Sequence, residues 1–402
     1  MRLLIISHTR HYLQQGKLLG WGPTIEEVDW LARVFDHVIH LACLHPQPPP
    51  KSAQAYRNHR VTVTSVPPSG GLGWKEKTRV ITLAPRYIQA IVHWLPFADV
   101  VHIRAPCPIA IYAMLLLSVR SSPIRWTKYA GNWGESNLLP PSFAFQRWWL
   151  RMGFSRGPVT VNGRWENQPK HIFSFDNPAF SLEEVQRGRS QGVAKLIAQP
   201  VRLVFAGRLE KAKGIYTTLQ VMKALNDKIE AHLDVLGDGP ERQKAAILCE
   251  NLGIREKVIF HGWLSREEVK RFLARAHFVM LPSQSEGFPK VLSEGMCYGA
   301  VPLASNISAI SQFLTETNAG VSLNPEDVNG FVSAILTLVD EPQRWKQMCL
   351  AGMRAATRFC YERYIVALDD MFKIYYGSSP LDHNQVEMMK EKVASEEKSI
   401  TF

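Results

Sequence analysis

The sequence predicts an α/β protein made of two doubly wound, Rossmann-like domains. Its 402 residues are too many for one ordinary hydrophobic core and suit two domains of about 200 residues each. Short apolar segments of strand character alternate with helical segments, a pattern typical of a parallel sheet wrapped by helices. Two of the predicted strands are each followed by a glycine-bearing loop and the start of a helix, and this geometry binds anions through free backbone N–H groups.

Composition narrows the class of protein. Hydrophobic residues make up 46% and charged residues 21% of the chain, as in soluble globular proteins. The most apolar segment, 108–119, is shorter than the roughly 18–20 residues that a membrane span requires, so we expect a buried helix there. Residues 2–8 predict a first strand rather than a signal peptide, followed by a loop over 9–23. Six cysteines without a CxxC pair favour reduced thiols and a cytoplasmic location.

Basic residues are concentrated in the first half of the chain. The net charge is +11, and residues 1–190 contain 22 Lys and Arg against 11 Asp and Glu. The remaining residues are balanced, so the whole excess lies in the predicted first domain. Such an excess implies an acidic partner, which the charge alone leaves open as anionic lipid, a phosphate-linked acceptor or nucleic acid.

One strand–loop–helix segment carries the first candidate site. Phe278–Pro282 predicts a short buried strand that the proline ends, and Pro289 predicts the first turn of a helix. The loop between them contains Gly287 and can bind an anion through backbone N–H groups. Glu286 in the loop and Glu294 on the helix could hold two parts of one elongated ligand. Taken alone, an ordinary strand–helix turn with two solvated glutamates fits these residues at least as well.

A second segment of the same kind precedes it. Val201–Ala206 predicts a strand, residues 207–214 form a glycine-containing basic loop, and a helix is expected from about Ile215. Arg208 and Lys213 could both face an anion at that helix start, and a diphosphate needs such charge compensation. Alone, a basic loop is more often simply solvated.

Four motifs follow one another in a fixed order: Phe205–Leu209 with Lys213-Gly214, then Leu236–Pro240, then Val258–Gly262, then Glu286 and Glu294 with seven residues between them. In this order and spacing the chain resembles the C-terminal half of the retaining GT-B glycosyltransferases of family 4 (glycosyl transferases group 1). The resemblance implies the GT-B fold, two doubly wound Rossmann-like domains facing each other across a cleft. It implies transfer of a hexosyl group, with retention of configuration, from a nucleotide diphosphate sugar to a carbohydrate acceptor, in bacterial polysaccharide or lipopolysaccharide assembly.

The resemblance also implies domain boundaries. Residues 1–180 are expected to bind the acceptor and residues 201–360 the nucleotide sugar, with a linker at 181–200. Residues 361–376 are expected to form a helix that crosses back to the first domain. Residues 377–402 are polar and dense in charge, so we expect a mobile tail.

Each motif residue acquires an expected role from the resemblance. Arg208, Lys213 and Glu286 are the expected catalytic residues: the two cations neutralise the departing diphosphate, and Glu286 holds a sugar hydroxyl. Glu294 is expected to accept hydrogen bonds from ribose hydroxyls. Further donor contacts are expected from Gly237, Gly239, Gly287, Phe288 and Pro289. Cationic side chains and helix ends can stabilise the charge without a divalent metal or cofactor, and the sequence has no Asp-x-Asp motif.

Acceptor or sugar contacts in the first domain are less sharply defined. The family usually has a glycine-bearing loop after the first strand, and Gly22 can serve there, although an ordinary flexible loop fits equally well. His102 matches a family histidine in an Asp-x-x-His strand, and a structural histidine fits this position equally well. Many relatives carry a sugar-binding histidine after the strand at 124–129. This chain has none there, and Asn132 is the expected substitute.

Residues 143–156 interleave aromatic residues with arginines. Tryptophan and arginine are typical of membrane interfaces, whereas an amphipathic core helix with a basic outer face is the alternative. The first interpretation predicts that the basic domain docks on the inner face of the cell membrane, where a lipid-linked carbohydrate acceptor would lie. Nucleic acid is then not expected as a partner.

Two other function classes stay open. A sugar-nucleotide epimerase of the same fold would bind the diphosphate but would need no acceptor. A non-catalytic nucleotide-sugar-binding protein is the second, although the presence of both acids and both cations argues against it. Donor hydrolysis measured with and without an acceptor separates these classes from a glycosyltransferase.

Overall fold

A computed structural model describes residues 1–70, 74–134 and 139–399. The chain forms two compact units. The first unit contains Met1–Phe175 together with Tyr361–Ser399, and the second unit contains Asp176–Cys360. The chain therefore passes from the first unit to the second and returns to the first at Tyr361.

The described residues of the first unit form one sheet with helices on both faces. Its strands are β1 (Arg2–Gln14), β2 (Lys17–Trp21), β3 (His37–His45), β4 (Ala53–Gln54), β5 (Val61–Val66), β6 (Val100–Ala105), β7 (Ile124–Tyr129), β8 (Val159–Asn162) and β9 (Ile172–Phe175). Its helices are α1 (Gly22–Leu31), α2 (Trp74–Thr82), α3 (Ala84–Trp94), α4 (Pro108–Ser118), α5 (Pro141–Arg151), α14 (Tyr361–Tyr376) and α15 (His383–Ser399). The parallel strands follow the order β5-β3-β1-β6-β7-β8-β9, and β2 and β4 add antiparallel pairs beside β1.

Successive side chains along each strand point to opposite faces of the sheet, so the core of the first unit consists of two layers. Leu4 and Ile6 of β1 pack with α3 and α4 on one face. Leu3 and Ile5 pack with α1, α14 and α15 on the other face. Side chains that alternate between the two faces of a strand are what a doubly wound sheet requires. Helix α14 is therefore part of the core of the first unit.

The first strand is longer than the sequence pattern indicates. We expect it to end at His8, but β1 continues to Gln14 and pairs with β2 in an antiparallel hairpin. A buried hydrogen-bond network explains the extension: the Tyr56 hydroxyl lies 2.8 Å from His11 Nε2 and 2.6 Å from His40 Nδ1. These contacts satisfy the hydrogen-bonding groups of the two histidines and the tyrosine. From the local sequence alone, such polar residues are typical of a loop.

The C-terminal residues form a helix where the sequence analysis expects a mobile tail. In α15, Val386 and Met389 are buried in the core layer that contains α14. The Lys390 ammonium lies 3.4 Å from the Asp369 carboxylate of α14. Two apolar residues three positions apart give a mostly charged helix one buried stripe, and this stripe, not the overall polarity, decides that the segment is ordered.

The second unit contains a single parallel sheet in its described residues. The strands are β10 (Val201–Ala206), β11 (Ala231–Leu236), β12 (Val258–Gly262), β13 (Phe278–Leu281), β14 (Val301–Ser305) and β15 (Val321–Leu323). The helices are α6 (Leu182–Gly192), α7 (Ile215–Asn226), α8 (Arg242–Asn251), α9 (Arg266–Arg275), α10 (Lys290–Cys297), α11 (Ser308–Thr317), α12 (Val328–Asp340) and α13 (Pro342–Ala356). The strand order is β12-β11-β10-β13-β14-β15. This order reverses direction between β10 and β13, which makes their carboxyl ends the topological switch point.

Residues 181–200, expected as a linker, are part of the second unit. Helix α6 begins with a capping box between Ser181 and Glu184. After the helix, Lys195 donates from Nζ to the carbonyl oxygens of Leu273, Ala276 and Tyr298 at 3.2, 2.7 and 2.8 Å. These carbonyls lie at the C-terminal ends of α9 and α10, so Lys195 satisfies backbone acceptors that a helix end leaves free.

None of the helices in the described ranges combines the length and the apolar content that crossing a membrane requires.

Candidate donor site and first-unit surfaces

The loops that follow β10 and β13 lie side by side at the switch point of the second sheet. Gly214, at the end of the first loop, has φ of +80°, and a Cβ at this position would lie 2.0 Å from the Pro282 carbonyl oxygen. The Gln284 N–H donates to the Ala212 carbonyl oxygen at 2.8 Å. Only glycine permits this approach, so the sequence brings Arg208 and Lys213 next to the loop that carries Glu286.

Each of the two expected cations forms an ion pair with an acid of the switch-point loops. Lys213 Nζ is bonded directly to Glu286 Oε1, and the Ser283 hydroxyl donates to the same oxygen at 3.0 Å. Arg208 Nε lies 2.9 Å from Glu210 Oε1. Neither Ser283 nor Glu210 can be predicted as a site residue from the sequence, because no local pattern relates the side chains that their contacts join.

Helix α10 begins directly after the second loop. Pro289 is its N-cap rather than its first helical residue. Phe288 is buried against Phe359, with ring centroids 4.8 Å apart, and its carbonyl oxygen accepts from Asn177 Nδ2 at 3.1 Å. The side chain and carbonyl of Phe288 thus anchor the loop, which leaves backbone N–H groups of this loop and of the first turn of α10 as the groups able to meet an anion.

Glu294 lies one turn into α10. Among the residues that the structure describes, no donor or cation lies within hydrogen-bond or ion-pair distance of it. Burial raises its pKa above the ordinary value, while Arg266, Lys290 and Lys270 act in the opposite direction. A ligand that donates hydrogen bonds to this half-buried carboxylate would remove the free-energy cost of leaving it unsatisfied.

Gly237 and Gly239 are explained by backbone packing. A Cβ on Gly237 would lie 2.0 Å from the Gly207 carbonyl oxygen, and one on Gly239 would lie 2.4 Å from that of Leu209. The Leu209 N–H donates to the Asp238 carbonyl oxygen at 3.0 Å. These glycines hold the loop after β11 against the Arg208 loop, whereas the sequence analysis assigns them to direct contact with the nucleotide.

The residues of the first unit that were expected to contact an acceptor or a sugar are instead mostly in contact with other parts of the protein. His102 is fully buried and stacks on Trp126 with ring centroids 4.0 Å apart, and burial holds its pKa well below the ordinary value. This position corrects the expected acceptor contact, because α14 and its neighbours cover that face of the sheet. Asn132 Oδ1 accepts from the Gly134 N–H at 3.0 Å. Gly22 begins α1 rather than lying in a loop, and a Cβ there would lie 2.6 Å from the Ser52 carbonyl oxygen.

A buried charge cluster near His102 has no signal in the sequence. Glu27 accepts from Arg104 Nη1 and from Lys128 Nζ, each at 2.7 Å. The Glu27 side chain has no exposure. Its partners come from β6 and β7, far along the chain, so only the completed sheet brings these three side chains together.

Helix α5 and the turn after it expose a patch of large apolar side chains. We call Phe145, Trp148, Met152 and Phe154 the α5 patch, since each is at least one-third exposed. Trp148 and Phe154 contact each other with ring centroids 5.7 Å apart. The arginines between them are directed elsewhere: Arg147 is bonded to the Gly134 carbonyl oxygen, and Arg151 Nη2 lies 3.4 Å from that of Trp133.

Comparisons with known proteins show which family and which proteins this chain is similar to. Residues 191–352 match the family model described as glycosyl transferases group 1, and all residues of the candidate site at the switch point lie within that range. The lipopolysaccharide core biosynthesis glycosyltransferase LpsD of Rhizobium meliloti is 28% identical over 171 residues, which cover 42% of this chain and 48% of LpsD. The chain spans about half or less of the length of the curated relatives it matches.

Solved structures extend the likeness to both units. Sucrose-phosphate synthase from Thermosynechococcus elongatus superimposes with a TM-score of 0.71 and 16% identity, covering 94% of this chain and 99% of that one. HepE of Anabaena, solved in complex with UDP and glucose, gives a TM-score of 0.63 and 15% identity, covering 98% and 100%. At these identities the likeness establishes the fold.

The fold class expected from the sequence is confirmed: the protein has the mixed α/β architecture of the GT-B glycosyltransferases. The similarity to the glycosyl transferases group 1 covers residues 191–352, which lie in the second unit.

Proposed function

We propose that this protein is a retaining, metal-independent glycosyltransferase of family 4. It moves a hexosyl group from a nucleotide diphosphate sugar to a carbohydrate or lipid-linked carbohydrate acceptor. The observation that carries the proposal is the pair of loops at the switch point of the second sheet, where Arg208 and Lys213 lie with Glu286 beside the start of α10.

The proposed chemistry depends on charge at the leaving group. As the bond between the anomeric carbon and the diphosphate breaks, negative charge grows on the departing diphosphate. The acceptor oxygen bonds to the anomeric carbon, and its proton passes to an oxygen of the departing diphosphate. Arg208, Lys213 and the backbone N–H groups of Gly287 and the first turn of α10 stabilise that charge. These groups supply the compensation that a divalent metal would otherwise give, and no cofactor is required.

Two carboxylates orient the donor in this proposal. Glu294 accepts hydrogen bonds from the ribose hydroxyls, which its unpartnered carboxylate supports. Glu286 holds a hydroxyl of the transferred sugar, and the Ser283 hydroxyl fixes its orientation. UDP is the first nucleotide to test, because the structurally similar HepE was solved with UDP and glucose.

The proposed acceptor belongs to polysaccharide or lipopolysaccharide assembly. The relative LpsD is named for lipopolysaccharide core biosynthesis, and the charge excess of residues 1–190 suits a phosphate-bearing or membrane-bound acceptor. We assign acceptor binding to the first unit. The α5 patch then docks that unit on the inner face of an anionic membrane, since exposed tryptophan and phenylalanine partition into the headgroup region.

Donor turnover tests the proposal. The full-length protein is incubated with UDP- and GDP-linked hexoses, with and without a lipid-linked oligosaccharide acceptor, and free nucleotide and sugar products are measured. Acceleration of nucleotide release by the acceptor, with an α-linked product from an α-linked donor, is the expected result. Interconversion of sugar nucleotides without acceptor would instead identify an epimerase, and binding without turnover would identify a non-catalytic protein.

A further inference from the structure

Both expected phosphate-binding cations are paired with acids. Lys213 is bonded to Glu286, and Arg208 Nε lies 2.9 Å from Glu210 Oε1. A diphosphate that binds these cations must therefore compete with two carboxylates that are already in place.

The two acids differ in what else they do. Glu286 is held by the Ser283 hydroxyl as well as by Lys213, and it has its own proposed contact with the sugar. The only side-chain partner of Glu210 among the described residues is Arg208, and no step of the proposed reaction uses it. Because the Arg208 and Glu210 side chains are 43% and 40% exposed, the pair can open without disturbing the core.

We infer that the diphosphate binds by ion-pair exchange, in which it displaces Glu210 from Arg208, and that Glu210 thereby sets how tightly the nucleoside diphosphate product is held. This inference rests on the proposed function, specifically on Arg208 as a diphosphate contact. Glu210 acts through Arg208 and is a positioning residue: it re-forms the pair as product leaves. In enzymes limited by product release, weaker product binding shortens the cycle.

The expected size of the effect is modest. Exposed ion pairs contribute little, so a competing carboxylate of this kind should weaken diphosphate binding by about two- to fivefold. Ion pairs at exposed positions are also screened by salt, with a Debye length of about 30 Å at 0.01 M and about 3 Å at 1 M. The effect of Glu210 should therefore be largest at low ionic strength and should vanish at high ionic strength.

The experiment is calorimetric titration of the full-length protein with UDP and GDP, continued with the one that the wild type binds more tightly. Glu210→Gln should bind that nucleotide about two- to fivefold more tightly than the wild type at low salt, and equally tightly near 1 M salt. In the Arg208→Ala background, Glu210→Gln should leave the affinity for that nucleotide unchanged. Glu341→Gln is the matched control, because Glu341 forms a similarly exposed pair with Arg344 at 3.2 Å and precedes α13 rather than lying on a switch-point loop.

The outcomes separate the inference from the proposed function. If Arg208→Ala weakens nucleotide binding while Glu210→Gln leaves it unchanged or weaker, the exchange is wrong and the diphosphate site stands. If Glu210→Gln tightens binding equally in the Arg208→Ala background, Glu210 does not act through Arg208 and the inference is also wrong. Unchanged binding in Arg208→Ala, or no binding of either nucleotide by the wild type, would overturn the diphosphate assignment itself.

Discussion

Replacing Glu294 by glutamine should have opposite effects on the stability of the free protein and on its affinity for nucleotide. The Glu294 carboxylate has no hydrogen-bond partner among the described residues, and burial raises its pKa from 4.5 despite the opposing influence of Arg266, Lys290 and Lys270. An ionised carboxylate in this position lowers the stability of the free protein at neutral pH. Glu294→Gln removes that charge at nearly constant volume, so its free energy of unfolding should be higher.

The pH dependence of this effect has a defined sign. A raised pKa means that the folded protein binds the Glu294 proton more tightly than the unfolded chain does. The stability contributed by this group is therefore lost as pH rises from 4.5 through the folded-state pKa, and it stays lost above that value. The gain from Glu294→Gln should be absent near pH 4 and should reach its maximum above the folded-state pKa.

Nucleotide affinity should change in the opposite direction. A hydrogen bond to a charged group contributes about 1.5–3 kcal/mol, so loss of the carboxylate charge at the ribose should weaken UDP binding by about 10- to 100-fold. Thermal melting with and without UDP, together with calorimetric titration, measures both effects, and Glu341→Gln is the control. If Glu294→Gln binds UDP as tightly as the wild type at neutral pH, the ribose assignment is wrong.

Three further predictions concern the second unit. Arg208→Ala and Lys213→Ala should each cost about 3 kcal/mol of transition-state stabilisation, or ~100-fold in kcat/KM, without lowering the melting temperature, and near-normal turnover in steady-state assays would contradict the diphosphate role. Glu286→Ala should lower kcat more than it changes the Kd for UDP, because placement of the sugar ring matters at the reacting carbon; an unchanged kcat would refute this. Lys195→Met should reduce the free energy of unfolding by about 2 kcal/mol or more, because it leaves three carbonyl oxygens at the ends of α9 and α10 without their donor, and urea unfolding measures it.

Several strands of the second unit could be predicted because they are encoded locally. Strand β13 is an apolar run that a proline ends, and β10 is a short apolar segment that precedes a glycine-containing loop. Both have the bounds that the sequence pattern indicates, since a short apolar run with a clear stop signal suffices to define a strand. The order of the motifs then located the switch-point loops.

The remaining features depend on contacts between distant parts of the chain. Whether His102 is open to a ligand depends on α14, which begins at Tyr361 and covers that face of the first sheet. Arg208 forms its ion pair within one loop, and Lys213 forms its ion pair with the neighbouring loop. Neither the spacing of hydrophobic residues nor the turn residues in the sequence predict such side-chain contacts. Helix α15 was missed because its charged residues outnumber the few side chains that it buries.

Membrane docking through the α5 patch should depend on aromatic insertion more than on the arginines in the same segment. Trp148 is 50% exposed at the centre of the patch, whereas Arg147 and Arg151 are bonded to the carbonyl oxygens of Gly134 and Trp133. Burying one such aromatic side chain contributes about 1.5–3 kcal/mol. Trp148→Ser should therefore weaken binding to phosphatidylglycerol vesicles by about 10- to 100-fold.

Salt separates the aromatic contribution from the charge contribution. At about 1 M salt, where the Debye length is about 3 Å, wild-type binding to anionic vesicles should weaken as the attraction of the basic first unit is screened, but the difference between the wild type and Trp148→Ser should persist. Ile247→Ser is the matched control, because Ile247 is also 50% exposed but belongs to α8 of the second unit. Sedimentation with anionic and with phosphatidylcholine vesicles measures all three proteins. Equal binding of the wild type to both vesicle types, or equal losses in Trp148→Ser and Ile247→Ser, would contradict docking through the α5 patch and favour an acceptor that is not held in a membrane.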